Sequence, residues 1–191
     1  MPEISHVRLQ VPEQASLNRA LREGGAQLFP QWLYAEPGPE VRILWWGLRG
    51  GLEPASIPDD ARRGLFPRPV DDWTEAPRAV ILATSQAERA IVDLQPLIGS
   101  AWHDAGEDEV LGARCRRTTL GRSVLVLAEP STDGFTAACL AGIGEGPIGL
   151  ALDGTSTLGR AVITNPVTDG PAAWVRLGPE TAPYLLFLPA R

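Results

Sequence analysis

The chain has 191 residues, of which 44% are hydrophobic and 21% charged, a globular composition with room for one large domain or two small modules. Its net charge of −6 argues against nucleic acid as a partner. All 17 basic residues are arginine, so chemistries that require a lysine amine, such as Schiff-base formation or a P-loop, are excluded.

No segment predicts insertion into a membrane or passage across one. No apolar run approaches the roughly 20 residues that span a bilayer. The N-terminal sequence MPEISHVRLQ lacks the basic and apolar regions of a secretory signal, so a cytoplasmic protein is expected. Cys115 and Cys139 are too few for a disulfide framework and match no zinc spacing, so both are expected to be structural thiols.

The first 49 residues have the pattern of a β-α-β-β module. Apolar and polar residues alternate over residues 4–11, which predicts a strand. Residues 15–23 have helical spacing and end at a glycine pair, and strands are predicted at residues 28–34 and 41–48. We therefore take residues 1–49 as the first module.

Residues 50–77 are rich in proline and glycine and form a predicted connector between modules. Leu65, Phe66 and Trp73 are expected to pack this connector against the rest of the protein. A loop of this length is unusual in a compact protein. A lid, or a short strand hidden within the connector, is the alternative.

The β-α pattern begins again after the connector. A strand at residues 79–84 and a helix at residues 86–98 precede three strand candidates, at Trp102, residues 112–119 and residues 123–129. The opening of this βαβββ unit can be laid over the opening of the first module, which indicates internal repetition. Two unrelated β-α units of ordinary length are the alternative.

A third unit follows without an obvious long helix of its own. A short helix is predicted after Pro130, and strands are predicted near residues 147–152, 158–164, 173–177 and 184–188. The order of elements therefore places the second and third units together in residues 78–191.

Three segments between Arg78 and Gly154 carry a family resemblance: AVILATSQAERAIVDLQPLIG, LGRSVLVLAEPS and GIGEGPIGLAL. In this order they resemble the vicinal-oxygen-chelate superfamily, which includes glyoxalase I, methylmalonyl-CoA epimerase, extradiol dioxygenases and bleomycin-resistance proteins. The resemblance implies an α+β fold of repeated βαβββ modules. Their strands form curled mixed sheets, and their helices pack on the outside. It also implies either module pairing within one chain or a homodimer.

Enzymes of this superfamily hold a divalent metal in the concave sheet, through side chains on the first and last strands of a module. The corresponding positions here are His6, Ala79, Val126, Gly149 and, in the first module's last strand, Leu44 or Trp45. His6 alone among them has a metal-binding side chain, and one histidine does not hold a catalytic metal. The resemblance therefore implies a degenerate metal site, with no bound metal or cofactor.

A different donor set is the alternative for a metal. The segment WHDAGEDE brings together His103, Asp104, Glu107, Asp108 and Glu109. An atypical metal site there, or at His6, would make the protein a metal-dependent lyase, isomerase or dioxygenase. The favoured interpretation of this segment is a solvated acidic turn between two strands.

Without a metal, a concave sheet can bind a small molecule through aromatic surfaces and a few polar anchors. Trp45 and Trp46 are adjacent on one strand and must face opposite sides, so one of them can face the cleft; filling the core is the alternative for the tryptophans. The predicted ligand-binding residues are His6, Arg8, Gln10, Trp45, Trp46, Arg114 and Arg116.

Arg114, Arg116 and Arg117 lie on one predicted strand, so at least one should face inward and could pair with a carboxylate or phosphate. If that strand lies at a sheet edge, they would instead prevent edge-to-edge pairing. The function expected from the sequence is metal-independent binding of a small molecule, with neither nucleic acid nor membrane as a partner.

Overall fold

A computed structural model describes residues 2–25, 30–50, 57–66, 75–156, 159–179 and 181–189. Trp73, the start of the strand predicted from residue 28, and half of the predicted connector (residues 51–56 and 67–74) lie outside these residues. None of the helices within the described ranges is long and apolar enough to cross a membrane.

The N-terminal elements form a three-stranded sheet. In chain order they are strand β1 (Glu3–Val11), helix α1 (Gln14–Glu23), strand β2 (Leu33–Pro37) and strand β3 (Arg42–Arg49). β1 is central, parallel to β2 and antiparallel to β3. β2 begins later than predicted because the chain first turns, with the amide of Leu33 donating to the carbonyl of Pro30 at 3.1 Å.

A bulge in β1 decides which side chains face the core. The register with β3 shifts between Ile4 and His6, so Ile4 and Val7 lie on the same face although they are three residues apart. Leu9 and Val11 continue that apolar face. His6, Arg8 and Gln10 consequently lie on the opposite face, which we call the open face of the three-stranded sheet.

The remaining strands form one eight-stranded sheet. Its elements are β4 (Ala79–Ala83), α2 (Ala87–Ile98), β5 (His103–Asp108), β6 (Ala113–Leu120), β7 (Ser123–Pro130), α3 (Phe135–Ile143), β8 (Gly146–Asp153), β9 (Arg160–Val162), β10 (Ala172–Arg176) and β11 (Tyr184–Leu188). The strand order is β5-β6-β7-β4-β8-β11-β10-β9.

This order contains a repeat, but it relates β4–β7 to β8–β11, whereas the repetition indicated by the sequence relates the first module to the second. The antiparallel β4–β8 pair divides the sheet into two halves, β4–β7 and β8–β11. From that pair outward, each half has its first strand in chain order, then its fourth, its third and its second. In each half the first and fourth strands are parallel and the other neighbours are antiparallel. The predicted α+β fold with a curled mixed sheet is confirmed.

The acidic segment is a strand rather than the turn that we predict from sequence. β5 covers His103–Asp108, and the turn follows at residues 109–112. Asp104 faces Arg116 across the β5–β6 ladder, so arginines of β6 offset the acidic charge. Charge is also tolerated here because β5 is an edge strand, where it discourages pairing with other chains.

Two apolar cores lie on the two faces of the eight-stranded sheet. We call the face of the eight-stranded sheet that carries Val80 and Leu82 the outer face, and the face that carries Ile81 the inner face. The first core contains α1, α2, the apolar face of the three-stranded sheet and the outer-face residues. The second core contains Phe135 and Cys139 of α3 together with inner-face residues such as Ile81. β4 is buried along its whole length because it contributes to both cores.

Helix α1 lies against the half of the sheet that has no helix of its own. Gly24 follows its last residue, and a Cβ added there would overlap the ring of Phe187 on β11. Leu17, Leu21 and Phe187 belong to the same core. The N-terminal segment thus covers apolar surface of β11 that would otherwise be exposed.

Ion pairs join the two ends of the strand order. Arg160 of β9 lies 2.9 Å from Glu109, which follows β5. Arg117 of β6 lies 3.1 Å from Asp169, in the loop before β10. These strands are far apart in the sheet, so the pairs require the sheet to curl until its opposite margins meet over the inner face.

Candidate functional site

The positions at which the superfamily resemblance places metal ligands lie together on the inner face. Ile81 of β4 is opposite Val126 of β7 on one side and opposite Gly149 of β8 on the other. Ala79 lies two residues from Ile81 along β4 and faces Ala151 of β8. The strand register therefore places Ala79, Val126 and Gly149 close together on one face of the sheet, as predicted.

These positions are part of the second core. Ala79 and Val126 are 0% exposed, and a Cβ added at Gly149 would lie 3.2 Å from Cδ1 of Ile81. Their side chains offer no donor to a metal ion. Within the described ranges, no group of three or more His, Cys, Asp or Glu side chains could hold one.

A cation lies beside these positions. Arg117 is opposite Val126 in the β6–β7 ladder and is thus the arginine of the three on β6 that faces inward. Its guanidinium is paired with Asp169. A guanidinium has no lone pair to offer, so Arg117 cannot serve as a metal ligand here.

Aromatic residues that the sequence does not single out cover the inner face further along. Tyr184 contacts Phe135 and Trp174 edge to face, with ring centroids 4.7 and 5.6 Å apart. The guanidinium of Arg176 lies over the ring of Tyr184 at 4.9 Å. Trp174 is 1% exposed, and its indole N–H has no hydrogen-bond partner among the described residues. The alternation of Trp174 and Arg176 along β10 is the sequence signal for this group.

His6 lies elsewhere, on the open face of the three-stranded sheet. It is 2% exposed, and its Nδ1 is 2.7 Å from Oγ of Ser5. Its ring contacts Trp45, Tyr34 and Phe66 edge to face, at centroid distances of 4.8, 6.1 and 6.3 Å. We call the set His6, Arg8, Tyr34, Trp45 and Phe66 the His6 group.

His6 is a neutral imidazole at pH 7. Burial, assisted by the nearby charge of Arg8, lowers its pKa from 6.5 to about 4. A neutral ring can accept a hydrogen bond at one nitrogen and donate one at the other. Because His6 is 2% exposed, a polar group of a ligand would reach this ring only if a neighbouring side chain moved aside.

Aromatic and charged side chains continue the open face beyond His6. Trp45 stacks on Phe66 with centroids 4.5 Å apart, and the guanidinium of Arg8 lies 5.4 Å from the Trp45 ring centroid. Nε of Arg8 is 2.7 Å from Oε2 of Glu36. Tyr34 is 39% exposed, and Arg8, Trp45 and Phe66 are half-buried. The group thus combines a buried imidazole with aromatic surface and an ion pair that solvent can reach.

The other predicted ligand residues are distributed differently. Gln10 shares the open face, where its side chain fills the space beside Gly38. Trp46 lies in the first core, 0% exposed, on the side of β3 opposite to Trp45. A ligand on the open face would therefore contact Trp45 and not Trp46.

Arg114 and Arg116 lie on the other sheet and are already paired. Both lie within 2.9 Å of Oδ2 of Asp104, and Arg116 also approaches Glu88 of α2 at 3.6 Å. The structure does not bring them to the His6 group. Their strand has neighbours on both sides, so a role in protecting a sheet edge is wrong.

The acidic cluster on β5 is engaged in local structure. The hydrogen bond from Arg114 holds the pKa of Asp104 at about 2. Asp108 accepts hydrogen bonds from the amides of Val110 and Leu111, each at 2.9 Å. These contacts fix the turn between β5 and β6 and use the carboxylates that an atypical metal site would need.

Sequence reasoning missed two components of the His6 group. Tyr34 lies opposite Arg8 in the parallel β1–β2 ladder, which the sequence does not reveal. Phe66 belongs to the predicted connector, where packing was expected but its partner was not. An aromatic residue in a glycine- and proline-rich segment was the available signal.

The chain matches no model of a known protein family, and it matches no curated protein. Solved structures are similar in fold. A variant of 4-hydroxymandelate synthase from Streptomyces coelicolor aligns with a TM-score of 0.60 at 10% identity, over 98% of this chain and 92% of that one. A halotolerant catechol dioxygenase aligns with a TM-score of 0.53 at 10% identity, over 97% and 85%.

A third similar structure is 2,2',3-trihydroxybiphenyl 1,2-dioxygenase from Sphingomonas wittichii, at 10% identity and a TM-score of 0.50, over 97% of this chain and 89% of that one. Dioxygenases of this kind belong to the superfamily that the sequence motifs resemble. The chain has the fold of the vicinal-oxygen-chelate superfamily.

Proposed function

We propose that the protein binds a small planar molecule at the His6 group, without a metal. The observation that carries this proposal is the contrast between two surfaces. The inner face presents Ala79, Val126 and Gly149 as buried core, whereas the open face of the three-stranded sheet presents a neutral imidazole beside partly exposed aromatic rings. The degenerate metal site is part of this proposal.

The chemistry of the His6 group favours an aromatic ligand that also has a polar group. The rings of Tyr34 and Trp45 offer surface for stacking and edge-to-face contact. Arg8 and Glu36 are half-exposed, so their ion pair can open to receive a carboxylate or a hydroxyl group at low cost. Gln10 extends the polar side of the same face.

A phenolic compound is the ligand class that we propose. One structurally similar protein is named as a catechol dioxygenase and another as a trihydroxybiphenyl dioxygenase, so this fold accommodates phenolic rings in those proteins. In this chain the polar contacts would come from Arg8, and from His6 once a neighbouring ring moves aside, rather than from a metal. Catechol is therefore a suitable probe.

Titration with catechol, followed by ligand-observed NMR, tests this function. We expect a dissociation constant of about 10 µM to 1 mM, as is usual for a ligand this small. Trp45→Ala should weaken binding by about tenfold, because it removes the stacking surface. Val92→Ala, at a valine that is 72% exposed on α2, is the control and should bind as the wild type does. No binding by the wild type, or equal binding by Trp45→Ala, would contradict the proposal.

A metal-dependent lyase, isomerase or dioxygenase remains the other interpretation of the fold. It would require donors in addition to His6, and the described residues bring no such set together. No observation on these residues favours it over metal-independent binding.

The proposal has three further parts. We assign residues 1–49, 50–77 and 78–191 to the first module, the connector and the paired second and third modules. A cytoplasmic location stays a prediction from the sequence. A homodimer stays a prediction from the superfamily resemblance, and sedimentation velocity measures it directly.

A further inference from the structure

A short segment of the predicted connector runs along β3 and reaches the His6 group. We call residues 62–66 the strap. The amide of Trp46 donates to the carbonyl of Gly64 at 3.0 Å, and the amide of Phe66 donates to the carbonyl of Trp46 at 2.8 Å. Leu65 forms a parallel bridge with Trp46. The strap thereby places the ring of Phe66 on Trp45.

A buried arginine holds the strap from the other side. The side chain of Arg63 is 2% exposed. Its Nη1 donates to Oδ2 of Asp93 on α2 at 3.1 Å and to the carbonyl of Ala61 at 2.8 Å. Its Nε lies 2.8 Å from Oε2 of Glu145, just before β8. We call Arg63, Asp93 and Glu145 the anchor.

The backbone of Arg63 shows that these contacts are not incidental. Its φ is +47°, in the left-handed region that side chains with a Cβ rarely adopt. Such a conformation persists only where the surroundings determine it. The carbonyl of Arg63 also accepts a hydrogen bond from the indole N–H of Trp46 at 3.1 Å. Contacts therefore fix both the backbone and the side chain of Arg63.

The far side of the anchor is equally well held. Glu145 accepts hydrogen bonds from the amide and hydroxyl of Ser85, at 2.7 and 2.6 Å, and from the hydroxyl of Thr84 at 3.0 Å. Burial alone would raise the pKa of Glu145, but these bonds and the charge of Arg63 lower it. Glu145 is therefore an anion at neutral pH and attracts Arg63.

We infer that Arg63 is a positioning residue, which ties the strap to α2 and to the start of β8 so that Phe66 closes the wall around His6. Among the described residues, no ring or cation–π contact of the His6 group involves Arg63, so it acts through the strap. The role of Arg63 in ligand binding rests on the proposed function. Its role in holding the strap and Phe66 in place is independent of that function.

The burial of His6 reports whether the strap is in place. The groups that face His6 are Ser5, Tyr34, Trp45 and Phe66, and the charge nearest to it is Arg8, itself paired with Glu36. Loss of the anchor would leave the strap held by its hydrogen bonds to Trp46, and the loosened strap would admit water beside Phe66 while leaving Arg8 in place. The pKa of His6 would then rise from about 4 towards 6.5, because desolvation is the larger cause of its depression.

An NMR titration of the histidine ring protons in the full chain tests this inference. The chain has two histidines, and exposed His103 is an internal reference. In Arg63→Met the midpoint of His6 should rise well above 4 towards 6.5. Arg89→Met is the matched control, since Arg89 also approaches Asp93 but is 68% exposed. In that variant the titration midpoint of His6 should stay at about 4.

A folded Arg63→Met protein in which His6 still titrates at about 4 would overturn the inference. If that variant does not fold, Asp93→Ala removes half of the anchor at a partly exposed helix position. It should raise the midpoint of His6, and an unchanged midpoint would likewise overturn the inference. The titration requires no ligand, so failure of catechol to bind would contradict the proposed function and leave this result intact.

Discussion

Trp46→Ala should lower the free energy of unfolding by about 3–5 kcal/mol, the usual cost of deleting a large aromatic side chain from a core. Trp46 is 0% exposed, lies in the first core, and donates its indole N–H to the carbonyl of Arg63. Its removal leaves a cavity between the two sheets and an unpaired carbonyl. Urea denaturation at pH 7 measures the loss.

The neighbouring tryptophan is the matched comparison. Trp45 is half-buried on the open face, where its ring contacts are with His6 and Phe66. Trp45→Ala should cost about 1–2 kcal/mol, because part of its surface is in water already and one stacked pair is lost. Equal costs for the two substitutions, or a larger cost at Trp45, would show that their assignment to core and ligand site is wrong.

Ala79→Asp should destabilise the protein by about 3–5 kcal/mol at pH 7, as expected for an unpaired charge in a core. Ala79 is 0% exposed and faces Val124 and Ala151, which offer no polar partner. The same substitution at Ala161, an exposed alanine of β9, is the control and should cost less than about 1 kcal/mol.

The pH dependence of this variant gives an independent check. Burial would raise the pKa of an aspartate at position 79 above its unfolded value of about 3.9. The folded state would then bind the proton more tightly than the unfolded state, so the penalty is greatest at neutral pH and shrinks as the pH falls towards 4. A penalty below about 1 kcal/mol at pH 7 would mean that the inner face is hydrated, as in an open cleft.

Local sequence patterns predicted the beginning of the second module, β4 and α2, well. The signals for these elements lie within the segments themselves and do not depend on distant partners. The strand at β4, the helix after it and the glycine that ends α2 follow from alternation, helical spacing and the left-handed conformation of Gly99. The absence of a long helix in the third unit was also readable. Alternation likewise required Trp45 and Trp46 to face opposite sides, as they do.

What the sequence could not predict depends on long-range pairing. Alternation places His6 and Arg8 on one face, but it does not say which sheet their strand joins, and β1 joins the three-stranded sheet. Similarly, alternation along β6 groups Arg114 with Arg116 and sets Arg117 apart. Only the partner strands decide that Arg117 is the inward-facing arginine. The candidate site was therefore predicted in part.

The prediction of a turn at β5 was wrong for a different reason. Strand prediction relies on apolar alternation, and His103–Asp108 has none because it is an exposed edge strand whose charges pair with arginines of β6. The contribution of Phe66 was hidden because its segment is rich in turn-forming residues. Both cases show tertiary partners supplying stability that local propensity does not indicate.

The metal content of purified protein tests the central claim most directly. The full chain is incubated with excess Zn²⁺, Mn²⁺ or Fe²⁺, passed through a desalting column and analysed for each element. With no metal-binding side chain at Ala79, Val126 or Gly149, and only the guanidinium of Arg117 beside them, we expect far less than one retained ion per chain. Retention of one ion per chain, lost in His6→Gln or in a variant of the acidic strand β5, would contradict the account.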